Sequence, residues 1–88
     1  MAKYTVLITK TVQKQLKKLP DEIAERLEEE MLNLENDPRS RGSRKLKSRD
    51  AYRIRIGDFR FIYFIDDKLL MVTVIKVGHR KDIKGIKV

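Results

Sequence analysis

The 88 residues include no cysteine and no tryptophan, and a single histidine, His79. Without cysteine there is neither a disulfide framework nor a thiolate metal site, and a reducing cytoplasm is the expected compartment. One histidine leaves no evident transition-metal ligand set, so neither a metal nor an organic cofactor is expected. Two prolines and four glycines punctuate the chain, and no linker, internal repeat or low-complexity segment is present. No apolar run approaches the ~20 residues needed to cross a bilayer. Lys3 and the polar residues soon after it argue against a secretory signal. What is left is one small domain with a modest core.

Charge is abundant and unevenly placed. The formal net charge is +8. Residues 21–37 hold eight acids (Asp21, Glu22, Glu25, Glu28, Glu29, Glu30, Glu35, Asp37) against one base, Arg26. Residues 39–60 hold nine bases against Asp50 and Asp58. A basic block confined to one part of a small domain is the electrostatic footprint of a polyanion site. A phosphate chain fits it best and an acidic protein second. A membrane surface fits least, because no basic helix carries an apolar face rich in Trp or Phe.

The centre of the basic block is YRIRIGDFRFIY, residues 52–63. Tyr52, Ile54 and Ile56 alternate with Arg53 and Arg55, and Phe59, Phe61 and Tyr63 resume the apolar phase after Gly57-Asp58. The pattern predicts two strands joined by a two-residue turn of type II′ or I′. In that register Ile56 faces Phe59, Arg55 faces Arg60 and Ile54 faces Phe61. Like charges facing across a ladder destabilise by up to about 1 kcal/mol. Folding alone gives no reason to set cations this way, whereas an anion site does.

The rest of the chain supplies the scaffold. Tyr4, Val6 and Ile8 alternate within 2–8, which predicts a first strand. Thr9 is placed to cap a helix over 10–19, with Val12, Leu16 and Leu19 inward and Lys10, Lys14, Lys17 and Lys18 outward. Pro20 ends it and Asp21 opens a second helix over 21–35, whose stripe is Ile23, Leu27, Met31 and Leu34. Its acids form a solvated face or pair with the first helix's lysines. Asn36-Asp37-Pro38 stops that helix, and residues 39–49 are expected to be a basic surface loop, poorly fixed until an anion orders it. Strands are predicted over 51–56, 59–65 and 69–77, with Asp66-Asp67-Lys68 turning between the last two, which are apolar on both faces and therefore central. The order β-α-α-β-β-β gives an α+β fold, with two N-terminal helices packed on one face of a small, largely antiparallel sheet. The arginines must then occupy the open face, since three guanidiniums under the helices would be buried charges. The segment Gly78-His79-Arg80-Lys81 is expected to bring further polar groups to it.

Together the basic segment, YRIRIGDFRFIY and the closing VGHRKDIK resemble the RelE-type toxins of the RelE/ParE superfamily, and the resemblance spans nearly the whole chain as a single domain. It implies a toxin neutralised by a cognate antitoxin that wraps it. It also implies a ribosome-dependent endoribonuclease that cuts mRNA in the A site without metal. The family's strand cations fall on Arg53 and Arg55, its arginine after the hairpin turn on Arg60, and its arginine ending the last strand on Arg80. Many relatives place a tyrosine, thought to act in catalysis, where this chain has Lys84. His79, with an ordinary pKa near 6.5, is then the candidate for moving a proton, beside Arg55, Arg60 and Arg80 as phosphate-stabilising groups. Lys84 could donate a proton to the leaving oxygen if clustered arginines lowered its pKa. The expected RNA contacts are Arg53, Arg55, Arg44, Lys45, Lys47, Arg49, Lys81 and Lys84. Two other readings stay open: a ParE-like toxin acting on DNA gyrase, and a relative that binds nucleic acid without cleaving it.

Overall fold

The structure is a computed structural model that describes residues 3–40, 42–46 and 51–79. Its elements are β1 (Thr5–Ile8), α1 (Lys10–Lys17), α2 (Asp21–Leu32) continued by a 3-10 turn (Asn33–Glu35), β2 (Ser43–Lys45), β3 (Ala51–Ile56), β4 (Phe59–Asp66) and β5 (Met71–His79). The five strands form one sheet in the order β1-β5-β4-β3-β2. β1 runs parallel to β5 and every other neighbour pair is antiparallel. This is the expected α+β fold with β4 and β5 in the interior of the sheet.

One helix face and one sheet face meet in a single core. Val12 and Leu16 of α1, and Leu27, Met31 and Leu34 of α2 and its extension, pack with Tyr52, Ile54, Phe61, Tyr63, Ile65, Val72, Val74 and Val77. Thr9 caps α1 by accepting from the Val12 N–H at 3.4 Å, and its own hydroxyl donates to the Val74 carbonyl at 2.9 Å. The cap therefore also ties the helix start to β5. Pro20 precedes Asp21 at the start of α2, where a residue without a free N–H loses nothing. No ion pair joins the α1 lysines to the α2 acids among the described residues, so those acids form a solvated face.

Two local expectations change. Residues 43–45, read as part of a loop, form β2, an edge strand on β3. Ser-Arg-Lys carries no apolar alternation to betray it. The strand exists because β3 would otherwise expose unpaired backbone groups, and three polar residues satisfy them without making a sticky edge. The second change is at the β4–β5 turn. The Asp66 carboxylate accepts from the N–H groups of Lys68 and Leu69, both at 3.0 Å, so the turn runs on to Leu70. Leu70 takes a positive φ of 53°, rare for a side chain of its size. Its carbonyl accepts from Thr5 N–H at 2.8 Å, which ties the turn to β1. β5 thus begins at Met71 rather than Leu69 and continues to His79.

Candidate nucleic-acid interface

The β3–β4 hairpin positions the cations. Gly57 has φ +60° while Asp58 is not among the positive-φ residues, which selects the type II′ turn. The register is the expected one: Ile56 opposite Phe59, Arg55 opposite Arg60, Ile54 opposite Phe61. The Arg55 Nε donates to the Gly57 carbonyl at 3.2 Å, which holds the guanidinium stem over the turn. Ile54 and Phe61 lie in the helix-covered core, so their neighbours Arg53, Arg55 and Arg60 face away from the helices.

Register across the sheet extends this face in rows. Arg55, Arg60 and Gly78 lie side by side on β3, β4 and β5. The next row is Arg44, Arg53, Ile62 and Lys76, crossing from β2 to β5. A third row holds Ala51, Phe64, Thr73 and, on β1, Leu7. The same face is therefore cationic at the hairpin end and apolar toward β1, where Leu7 is 48% exposed. Ile62, within the second row, is 3% exposed yet stands outside the core cluster under the helices. Arg60 is partly buried and its Nε is covered from solvent.

Not every expected residue arrives there. His79 pairs with Phe59, on the helix-side phase, and its ring meets the Phe59 ring edge-on at 5.5 Å between centroids. The residue facing Arg60 from β5 is Gly78. His79, the expected proton-transfer candidate, thus follows Gly78 on β5 in the opposite phase from Arg60. Lys45 pairs with Tyr52 and likewise takes the opposite phase from Arg44. Lys47, Arg49, Arg80, Lys81 and Lys84 lie outside the described residues. Among the described residues, no group of three or more His, Asp or Glu side chains is placed to hold a metal ion.

A polar cluster that the sequence did not reveal anchors the basic segment. Arg39 donates to both carboxylate oxygens of Asp67, at 3.1 and 2.8 Å, and through Nε to the Tyr52 hydroxyl at 3.0 Å. Its guanidinium also lies 5.4 Å from the Tyr52 ring centroid. Tyr4 donates to Asp67 at 2.7 Å. The start of the basic segment is therefore held by protein groups rather than awaiting an anion. Beneath it the Tyr63 hydroxyl donates to the Pro38 carbonyl at 2.6 Å, and burial pushes its pKa up to about 12. Tyr63 is closed off from any acid–base task near neutral pH.

The hydrogen bonds from Arg39 and then Tyr4 hold the Asp67 carboxyl below its ordinary value of 3.8. A carboxylate with a lowered pKa contributes its stabilisation fully above the ordinary value and loses it as pH falls through the lowered one. The urea midpoint of the protein should fall more steeply than that of Asp67→Asn as pH drops below about 4. Parallel curves would show that the cluster adds nothing to folding.

The profile of the ParE toxin of type II toxin-antitoxin systems matches residues 6–84. The chain belongs to the RelE/ParE toxin family. The structure of the toxin superposes on a chain of the RelBE2 toxin-antitoxin complex of Mycobacterium tuberculosis with a TM-score of 0.79 and 32% identity, over 90% of this chain and 100% of that one. A chain of the archaeal RelE–RelB complex of Pyrococcus horikoshii matches at 0.76 and 32% identity, over 89% and 96% of the two chains. A double arginine-to-alanine variant of the Escherichia coli toxin RelE in the free state matches at 0.76 and 25%, over 91% and 86%. No curated protein sequence matches the toxin. Among its described residues, no helix is long and apolar enough to cross a membrane.

Proposed function

We propose that this toxin is a ribosome-dependent mRNA endoribonuclease. The observation that carries the reading is the Arg55–Arg60 pair, set across a hairpin on the face away from the helices and flanked by Arg53 and Arg44. Two arginines at facing positions of one ladder suit a doubly contacted phosphate, because each guanidinium offers a planar fork of donors and stays charged throughout.

The reaction this suits is attack of an RNA 2′-oxygen on the adjacent phosphorus. The O2′–P bond forms and the P–O5′ bond breaks, leaving a 2′,3′-cyclic phosphate and a 5′-hydroxyl. One proton leaves the 2′-hydroxyl and one is delivered to O5′. Arg60 and Arg55 stabilise the charge that builds on the non-bridging oxygens, and Arg53 and Arg44 hold the strand for in-line attack. Guanidiniums are poor bases, with pKa values above ~12, so proton transfer belongs to other groups. The register of His79 disfavours it for this task. Lys84 is the proposed donor to O5′, and Arg80 the proposed third charge-stabilising group. Lys47, Arg49 and Lys81 are proposed to contact RNA beyond the cleaved bond. A cognate antitoxin is the proposed regulatory partner, since the similar structures include toxin-antitoxin complexes.

Primer extension on a defined mRNA, with purified toxin and with or without programmed ribosomes, tests the reading. Discrete cuts only in the presence of ribosomes are expected; none in either condition would overturn it. One observation favours a second reading: the matching profile is described as a ParE toxin. Intact mRNA in arrested cells together with accumulated DNA breaks would assign action on gyrase instead.

A further inference from the structure

The geometry points to Lys76 as the far end of a track for a single RNA strand that begins at Arg44 and crosses four strands of the sheet. The inference rests on the nuclease reading and deepens it by naming how substrate is held. Lys76 interrupts the largely apolar run VTVIKV near the end of β5. The register brings it into line. Lys76 faces Ile62, Ile62 faces Arg53, and Arg53 faces Arg44. The irregularity in β4–β5 pairing falls between Ile62 and Tyr63. It inserts Ile75 as the extra residue between Val74 and Lys76, and so sets Lys76 on the arginine face while Val74 and Val77 remain in the core.

The dimensions fit an extended anion rather than one phosphate. Neighbouring strands lie about 4.8 Å apart, so the row from Arg44 to Lys76 measures ~14 Å. At the ~3.4 Å rise of a base-stacked strand, that span corresponds to about four nucleotides. Arg55 and Arg60 form a second row ~7 Å away along the strands. One row then follows the backbone while the other engages the phosphate that reacts. Phe64 lies in the row beyond, partly exposed on the same face. An aromatic ring beside a cationic row suits bases, each of which has a π-face, better than the side chains of an acidic peptide. In this arrangement Lys76 touches backbone phosphate away from the scissile bond, so it governs binding rather than the chemical step.

The test measures binding of a short fluorescein-labelled oligouridylate across a salt series, and cleavage kinetics on programmed ribosomes. Lys76→Gln, Lys76→Arg, Arg53→Gln and the control Lys14→Gln on α1 are compared with the parent. Lys76→Gln is expected to weaken low-salt binding about three- to tenfold. It should also reduce the magnitude of the slope of log affinity against log salt by about 0.7, the value of one lost contact to a single strand. It should raise KM with little change in kcat, and Lys76→Arg should restore binding. If Lys76→Gln matches Lys14→Gln while Arg53→Gln loses affinity, the track is overturned and the nuclease reading stands. If Arg53→Gln also binds and cleaves like the parent, the RNA site does not lie on this face and the track is overturned with it; absence of cleavage by the parent on programmed ribosomes is what overturns the nuclease reading itself. Weaker binding of an oligoglutamate peptide with unchanged RNA binding in Lys76→Gln would overturn the track in favour of an acidic protein partner.

Discussion

Arg60→Ala is expected to slow ribosome-dependent mRNA cleavage by about 10²- to 10³-fold, the loss seen when one preorganised donor to a developing oxyanion is removed. Arg60 stands opposite Arg55 on the ladder. In the proposed reaction both guanidiniums bear on the phosphorane, so deleting one would leave its partner too little charge to replace it. Arg60→Lys should recover only part of the rate, because an ammonium keeps the charge but loses the planar bidentate contact. Folding should survive, since the truncation also removes one of two facing like charges, a repulsion of up to about 1 kcal/mol. A cleavage assay on programmed ribosomes beside a thermal melt separates the two effects. Unchanged cleavage and unchanged growth arrest would remove Arg60 from the chemistry.

Phe61→Ala should lower stability by about 3–5 kcal/mol, the usual range for emptying an aromatic site in a packed core. Phe61 is fully buried and lies on β4 between Arg60 and Ile62, both of which face the other way. Its ring packs near Tyr63, with centroids 5.8 Å apart. A domain of this size has roughly 5–15 kcal/mol in total, so the substitution removes a large fraction of it and lowers Tm by on the order of 15–30 °C. Activity should disappear with the fold rather than by a change in chemistry. Phe64→Ala, on the same strand but the opposite face and only partly buried, should cost nearer to 1 kcal/mol. Equal losses in the two variants would show that the helix-side core does not centre on Phe61.

Burial also explains why the arginine face can exist. A hairpin carrying facing cations would be a poor element alone. It is held here because its other face contributes Ile54, Phe61 and Tyr63 to the core. At about 25 cal/mol per Å² of apolar surface removed from water, three such side chains outweigh a like-charge penalty near 1 kcal/mol. The sheet thus carries an electrostatic arrangement that the hairpin by itself would resist.

Much of this protein is local information, and that part was readable from residue order alone. Alternation in YRIRI, and the phase of Phe59, Phe61 and Tyr63 after the turn, set which residues share a face, because side chains in a strand point alternately up and down. Gly57-Asp58 set the turn and with it the Arg55–Arg60 pairing. Helical spacing of Val12 and Leu16, and of Ile23, Leu27, Met31 and Leu34, identified the faces that enter the core. The RelE/ParE resemblance rests on the hairpin stretch together with the basic segment before it and the closing VGHRKDIK. What only the tertiary structure decided depends on register between segments far apart in the chain. Lys76 joins the arginine face because of one extra residue in β5, and the same phase turns His79 toward Phe59 and leaves Gly78 opposite Arg60. β2 forms because β3 offers it an edge, while its own Ser-Arg-Lys has no apolar pattern. Arg39 finds Asp67, 28 positions away, because the turn after β4 folds back past the start of the basic segment. A strand's pattern fixes its faces from within, but which residues meet across strands is set by pairing, and pairing is a property of the assembled sheet.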